Sequence, residues 1–417
     1  MRRILIVSYH YPPLGGVGIV QVLGTTRYLP EFGWEPTVLC AKPDINSDVD
    51  LANKTSAVSR VFARRFPFAS TFMKALAKLR LDARRGLVLP DNFIDWFIPA
   101  YRAGRRALRR NHYDLIYATV PPYTSGLVAA SLSRQSGVPF VLNIRDPWLD
   151  RTQPGQEHLT RLHRKLDSAL ERYAVDTARK LTFIYQIGLD QYRLRYPDRA
   201  HQMNIVRPAF DFERANGKPA ARLPGKVTLA YAGHVYPPYD AMRTLAKLLA
   251  GCLRRGLDFT LGLWGCDQIP MAHRIVSEEG ITDHVFWGET VSLREIFSIE
   301  REVTANVVLL DFKTVPTKLY EVLAAGRKIL YVGPPVEDQE TLLERYSNQY
   351  LCLGCNGTAP SQEEIDQLIR FLTAPDDPVK INSKKKLVEK ELSAQAQTAR
   401  LAAILDEVVE VGTPCLH

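Results

Sequence analysis

The chain has 417 residues, with 46% hydrophobic and 24% charged side chains and a formal net charge of +9. This length exceeds one ordinary core, so we expect two domains, and the composition excludes a disordered or fibrous protein. No apolar run approaches the roughly 20 residues that cross a bilayer. Met1 to Arg3 lead directly into an apolar strand, without a signal sequence, so we expect a cytoplasmic protein.

The first half alternates apolar strands with helices. Gly15 and Gly16 follow the first strand and let backbone approach a ligand, although their spacing fits neither a dinucleotide fingerprint nor a P-loop. Arg145 and Asp146 follow a later strand, 139–144, at the edge of the sheet where parallel sheets bind ligands. The alternative for this pair is an internal ion pair that orders the next loop. A polar helix is predicted after it, at 158–178.

The positive charge is concentrated between Arg60 and Arg110, which hold thirteen Lys or Arg side chains against three Asp. Apolar and aromatic residues at helical spacing, among them Trp96, Phe97 and Tyr101, accompany these arginines. We predict a helical insertion at about 60–110 that contacts an anionic membrane surface. A solvated arginine-rich face is the main alternative, and no nucleic-acid partner is predicted.

A stretch rich in Pro, Gly and charge, residues 208–226, predicts a linker. A second series of strands, glycine-bearing loops and helices follows it. The loop positions of interest are Gly233 and His234, then Gly265, then Thr290, and the helix that starts at Asp240 carries Arg243. Cys352 and Cys355 form a lone CxxC without nearby histidines, which favours ordinary thiols over a zinc site.

Residues 307–332 predict a strand, a helix from Thr317 to Ala325 and a second strand, the β-α-β unit of a parallel sheet. Thr317, preceded by Pro316, is the predicted N-cap. Lys318 would lie beside the anion-binding start of the helix, and Glu321 one turn along. This arrangement suits a ligand with phosphates and hydroxyls, although Lys and Glu are also common at the start of surface helices.

The motifs, in their order along the chain, resemble those of the GT-B glycosyltransferases, specifically the retaining family 4 in its bacterial surface-polysaccharide branch. The first half contributes YHYPPLGG, LPD ahead of Trp96, IYATVPPYTSG and VPFVLNIRDPW. The second half contributes VTLAYAGHVY, LGLWGCD, VFWGE and PTKLYEVLAAGRKIL. The resemblance covers nearly the whole chain.

It implies an α/β protein with two doubly wound, Rossmann-like domains facing a cleft. The first domain would span 1–207, followed by the linker at 208–226. The second domain would span 227–390, and a last helix, 391–417, would cross back to the first domain.

The resemblance also implies a UDP- or GDP-sugar donor, no metal, no other cofactor and retention of configuration. Glu321 would hold the ribose hydroxyls, Lys318 and Arg243 would neutralise the diphosphate, and Asp146 with Arg145 would orient the acceptor or act in catalysis. The remaining donor contacts would be Gly15, Gly16, Gly233, His234, Gly265, Thr290, Pro316 and Thr317. The acceptor would be a surface glycan or a sugar on a polyprenyl diphosphate carrier, at the inner face of the membrane.

One position departs from the family pattern. Lys313 stands eight residues before Glu321, where the family has an acid that faces the transferred sugar. Asp311, two residues away, could replace it. This departure leaves open a catalytically degenerate binding protein, and a GT-B nucleotide-sugar epimerase is a separate alternative.

Overall fold

The two series of strands form two separate parallel sheets. This computed structural model describes residues 1–14, 19–43, 58–65, 88–150, 160–212, 223–266, 268–289, 291–355 and 359–412. The chain divides into a first compact unit, Met1–Ala209 with Ala394–His417, and a second, Phe210–Ser393. The predicted α/β class with two Rossmann-like sheets is confirmed.

The sheet of the first unit has seven strands in the order β3-β2-β1-β4-β5-β6-β7. In chain order they are β1 (Arg2–Val7), β2 (Trp34–Ala41), β3 (Ser59–Ala63), β4 (Leu115–Val120), β5 (Phe140–Ile144), β6 (Lys180–Phe183) and β7 (Met203–Ile205). The helices are α1 (Ile19–Tyr28), α2 (Phe97–Arg110), α3 (Tyr123–Ser136), α4 (Arg161–Thr177) and α5 (Gln186–Arg195). Every residue of β4 and β5 is buried, because helices cover both faces of the sheet.

The helices of the first unit are divided between the two faces of its sheet. The core on one face includes residues of α2, α3, α4 and α5. The core on the other face includes residues of α1 and of the last helix, α13 (Ala394–Gly412). This arrangement follows from right-handed crossovers that move outward in both directions from the centre of the sheet.

The predicted helical insertion at about 60–110 needs correction. Its first residues form β3, which pairs in parallel with β2, and residues 66–87 lie outside the described ranges. α2 lies in the connection from β3 to β4, shortly before β4. Trp96 is fully buried, and Phe97 and Tyr101 pack against the same core, so these aromatic side chains face the sheet rather than a membrane. The sequence could not show this, because an amphipathic helix has the same pattern whether its apolar face meets a sheet or a lipid surface.

The sheet of the second unit has six strands in the order β10-β9-β8-β11-β12-β13. They are β8 (Thr228–Ala232), β9 (Thr260–Trp264), β10 (Val285–Gly288), β11 (Ala305–Leu309), β12 (Lys328–Val332) and β13 (Tyr350–Leu353). The helices are α6 (Asp240–Arg254), α7 (Pro270–Glu278), α8 (Leu293–Glu300), α9 (Lys318–Ala325), α10 (Glu337–Tyr346), α11 (Gln362–Thr373) and α12 (Pro378–Leu392). None of the helices in the described ranges is long and apolar enough to cross a membrane.

Candidate functional site

The loops that follow β8 and β9 meet at the carboxyl edge of the second sheet. The Gly233 N–H donates a hydrogen bond of 3.0 Å to the Trp264 carbonyl. Gly265 has a φ of 77°, and a Cβ added to it would lie 3.2 Å from the Gly233 carbonyl oxygen. A side chain at Gly265 would therefore strain both loops. The structure thus brings Gly233 and Gly265 together, with His234 exposed beside them.

Asp311 follows β11 and lies at the start of α6. Its carboxylate accepts a hydrogen bond of 2.8 Å from the Ala241 N–H. Burial raises the pKa of Asp311, and the backbone hydrogen bonds oppose that rise. This carboxylate therefore already has a structural partner, at a helix N-terminus where negative charge is favoured. Lys313, in the same loop, is exposed.

The start of α9 differs from the predicted cap. Thr317 has helical dihedral angles, with φ of −59° and ψ of −28°, and its side chain makes no capping hydrogen bond. Pro316 and Thr317 instead act through their carbonyl groups, which accept from the Leu319 and Tyr320 N–H groups at 3.0 and 3.1 Å. Thr317 therefore stands at the predicted N-cap position, but the side-chain cap is absent, because its dihedral angles are helical rather than extended as in a capping residue.

The structure brings Lys318 and Glu321, which the sequence placed one turn apart, into an ion pair. The Lys318 ammonium lies 2.6 Å from Glu321 Oε2 and 2.5 Å from Oε1 of a second carboxylate, Glu300. Glu300 is the last residue of α8, and its side chain is 1% exposed. One ammonium group therefore holds two carboxylates, and any anion that approaches Lys318 must compete with both.

Glu300 is the member of this cluster that sequence reasoning missed. Burial raises its pKa to about 7, while the Lys318 charge opposes the rise and the Glu321 charge adds to it. Its other oxygen, Oε2, is buried with no hydrogen-bond partner among the described residues. Glu300 lies eighteen positions before Lys318, so no local spacing rule could connect the two. Only the packing of α8 against α9 does so.

Glu300→Gln is expected to change how the stability of the second unit depends on pH. The folded-state pKa of Glu300 is raised above its unfolded value, so its contribution to stability is fully present below about 4.5 and is lost as the pH rises through about 7. Hydrogen exchange of the β11 and β12 amides, followed from pH 5 to 8, should therefore show a smaller fall in protection in the variant than in the parent. Parallel curves for the two proteins would contradict the role of Glu300.

Arg243 lies in the first turn of α6 and has partners on α7. Its Nη1 is 3.6 Å from Glu278 Oε2, and its Nη2 donates to the Met271 sulfur at 3.5 Å. Lys318, the other predicted diphosphate ligand, has its partners on α8 and α9. The two cations therefore have separate sets of partners in this structure, and their joint role in binding a diphosphate stays a prediction.

At the carboxyl edge of the first sheet, Arg145 is buried and Asp146 is exposed. The Arg145 guanidinium donates a hydrogen bond to the Pro121 carbonyl. Burial lowers the pKa of Arg145, whereas the Asp146 charge raises it. Arg145 thus fixes the loop after β4, and Asp146 remains accessible at the end of β5.

A further acid at this edge, Asp91, is hydrogen-bonded to the start of α3. It comes from the LPD motif and accepts hydrogen bonds from the Thr124 hydroxyl and N–H, at 2.7 and 3.1 Å. Asp91 therefore caps the start of α3, and burial raises its pKa against these hydrogen bonds. The sequence indicated the motif but not this contact.

Three predicted donor residues, Gly15, Gly16 and Thr290, lie outside the described residues.

Comparisons with known proteins agree with this architecture. Residues 15–206 match the family model of the glycosyl transferase 4-like domain. The sucrose-phosphate synthase of Thermosynechococcus elongatus superposes with a TM-score of 0.67 at 14% identity, covering 99% of this chain and 100% of that one. The fold is that of the GT-B glycosyltransferases.

Two further solved structures also match this chain over nearly its whole length. The Anabaena protein HepE, solved with UDP and glucose, superposes with a TM-score of 0.64 at 13% identity, covering 98% of this chain and 100% of that one. The lipopolysaccharide outer core galactosyltransferase WaaB superposes with a TM-score of 0.59 at 13% identity, covering 97% of this chain and 99% of that one. A search of curated protein sequences gave no significant match. At these identities, the likeness to the GT-B structures establishes the fold.

Proposed function

We propose that this protein is a glycosyltransferase that takes a sugar from a nucleoside diphosphate sugar. The observation that carries the proposal is the Lys318–Glu321 pair, 2.6 Å apart at the start of a crossover helix in a GT-B fold. The family match over residues 15–206 and the UDP and glucose bound to HepE support the same assignment. We further propose retention of configuration and catalysis without a metal, as the resemblance to family 4 implies.

In this proposal Glu321 accepts hydrogen bonds from the two ribose hydroxyls, because a carboxylate can accept from both groups of a diol. Lys318 holds the Glu321 carboxylate through Oε2 and carries a positive charge near the helix start. The acceptor oxygen forms a bond to the anomeric carbon while the bond to the diphosphate breaks, and the acceptor proton leaves with the diphosphate. Cationic groups near the leaving group stabilise its developing charge. Lys318 and Arg243 are the proposed cations, and Asp146 is proposed to orient the acceptor.

Glu321→Ala is expected to weaken UDP binding by about ten- to a hundred-fold, because hydrogen bonds to a charged group contribute about 1.5–3 kcal/mol. Thermal stabilisation by UDP and by GDP measures this, since a ligand of the folded state raises the melting temperature. Glu340→Ala is the matched control, because Glu340 is an exposed acid of α10. The proposal fails if neither nucleotide stabilises the parent, or if the Glu321 variant responds as the parent does.

A degenerate, donor-binding protein is the second candidate, and one observation favours it. Lys313 stands where an acid facing the sugar is expected. Its proposed substitute, Asp311, already accepts a hydrogen bond from the Ala241 N–H at the start of α6. Incubation with UDP-sugars and glycan extracts separates the two candidates. Transfer of labelled sugar identifies an enzyme, whereas donor binding without transfer or hydrolysis identifies the degenerate protein.

We also propose that the acceptor is a surface glycan or a sugar carried on a polyprenyl diphosphate. The protein would then lie peripherally at the inner face of the membrane. The exposed arginines of α2 support this position, among them Arg102, Arg106 and Arg109. A lipid-linked acceptor lies at an anionic surface, where each Lys or Arg contributes roughly 1 kcal/mol.

A further inference from the structure

The first part of helix α4, from Arg161 to Arg172, exposes two leucines and buries two acids, whereas Leu170 packs against the core and Asp176, beyond this part, is exposed. Leu162 and Leu166 are 65% and 50% exposed, whereas Asp167 and Glu171 are fully buried. A surface helix normally has the opposite arrangement, with an apolar stripe towards the core. The sequence predicted only a polar helix at this place.

Hydrogen bonds fix this orientation of α4. Asp167 accepts a bond of 2.7 Å from the Trp148 indole N–H. Glu171 accepts from the Tyr192 and Tyr196 hydroxyls, each at 2.7 Å, and from Arg195 at 2.9 Å. Buried carboxylates need such partners, so the helix cannot rotate about its axis without losing them. The exposure of the leucines is therefore a consequence of the packing of α4.

The exposed face of α4 is apolar with a basic flank. Leu162 and Leu166 are one turn apart and so lie on the same side of the helix. Arg161, Lys165 and Arg172 are exposed next to them. The two acids between Arg161 and Val175 are those buried above, so this face is positively charged. A helix with an exposed apolar strip and a basic flank is typical of elements that lie in a membrane interface.

The position of α4 relates this face to the proposed acceptor side. α4 follows β5, so it begins at the carboxyl edge of the sheet, in the same connection as Asp146. α2 covers the same face of the sheet and also begins at that edge, with α3 packed between the two. The first two turns of α2 expose Ile98, at 58%, and Arg102. Both helices therefore place an exposed apolar side chain and basic residues at one end of this unit.

We propose that the outer face of α4, from Leu162 to Arg172, docks on an anionic lipid surface, together with the start of α2. The leucines enter the interface while the basic side chains contact the lipid head groups. Charge complementarity selects this occupant, because the face carries basic residues and no acid up to Val175. The inference rests on the proposed function, since a lipid-linked acceptor gives the carboxyl edge a reason to face the membrane.

Sedimentation with vesicles of phosphatidylglycerol and phosphatidylcholine tests this surface. The double variant Leu162→Asn/Leu166→Asn is expected to lower the partition coefficient about tenfold or more, because burial of each leucine contributes more than 1 kcal/mol. Lys165→Gln should lower it about fivefold, and pure phosphatidylcholine should bind the parent less well than the mixed vesicles. Leu194→Asn is the matched control, since Leu194 is 86% exposed at the far end of α5 and should not contribute.

Equal binding by the parent and the leucine variant would overturn the proposal, as would an equal loss in the Leu194 variant. A parent that forms dimers without vesicles, and a leucine variant that does not, would identify a protein partner instead and also overturn it. Donor binding separates this proposal from the proposed function. UDP should still raise the melting temperature of the leucine variant. If UDP does not stabilise the parent, the proposed transferase function is contradicted, but the result with vesicles still holds.

Discussion

Lys318→Met is expected to destabilise the second unit by about 3–5 kcal/mol, the usual effect of removing one partner from a buried ionic cluster. Glu300 and Glu321 would then face each other without the ammonium that lies 2.5 and 2.6 Å from them. The lost stability should be smaller at pH 5 than at pH 8, because Glu300 can take up a proton at the lower pH. Hydrogen exchange of β11 and β12 measures the second unit by itself.

The double variant Lys318→Met/Glu300→Gln is the decisive control for this prediction. It removes the buried charge together with its counter-ion, so it should recover most of the lost stability. A double variant that is as unstable as Lys318→Met would show that Lys318 acts through its packing rather than through Glu300. Because Lys318 is also a proposed ligand of the diphosphate, the double variant should bind UDP more weakly than the parent even when its stability is recovered.

Glu171→Ala is expected to destabilise the first unit by a similar amount, about 3–5 kcal/mol. The buried hydroxyl groups of Tyr192 and Tyr196 and the Arg195 guanidinium all donate to this carboxylate. Burial is the largest cause of the raised pKa of Tyr192 and persists in the variant, so the hydroxyl keeps its proton and loses its acceptor. Hydrogen exchange of the α4 and α5 amides reports the effect.

Asp190→Ala is the matched control for Glu171, because Asp190 is an exposed acid of α5. Its replacement should change stability by less than about 0.5 kcal/mol. The loss of stability in Glu171→Gln should lie between those of Glu171→Ala and Asp190→Ala, since the amide keeps one acceptor oxygen but loses the charge. A loss below about 1 kcal/mol in Glu171→Ala would contradict the role given to this buried network.

The fold followed from the sequence because the pattern of a buried parallel strand is local. Runs such as Leu115–Val120 and Lys328–Val332 are apolar nearly throughout, and glycine-bearing loops and helices separate them. The spacing of Lys318 and Glu321 is equally local, so their position in one turn of a helix could be predicted. The cap at Thr317 could not, because a cap depends on dihedral angles that several residues together decide.

What the sequence by itself determined is the α/β class, the two sheets and the position of Lys318 and Glu321 in the first turn of one helix. The tertiary structure alone decided that Glu300 shares Lys318, that Asp311 and Asp91 cap helices and that α4 exposes Leu162 and Leu166. The physical reason is the same in each case. A buried carboxylate lies where donors from distant parts of the chain converge, and sequence periodicity assigns acids to the solvent side. Glu171 and Glu300 are buried because of partners that no local pattern connects to them.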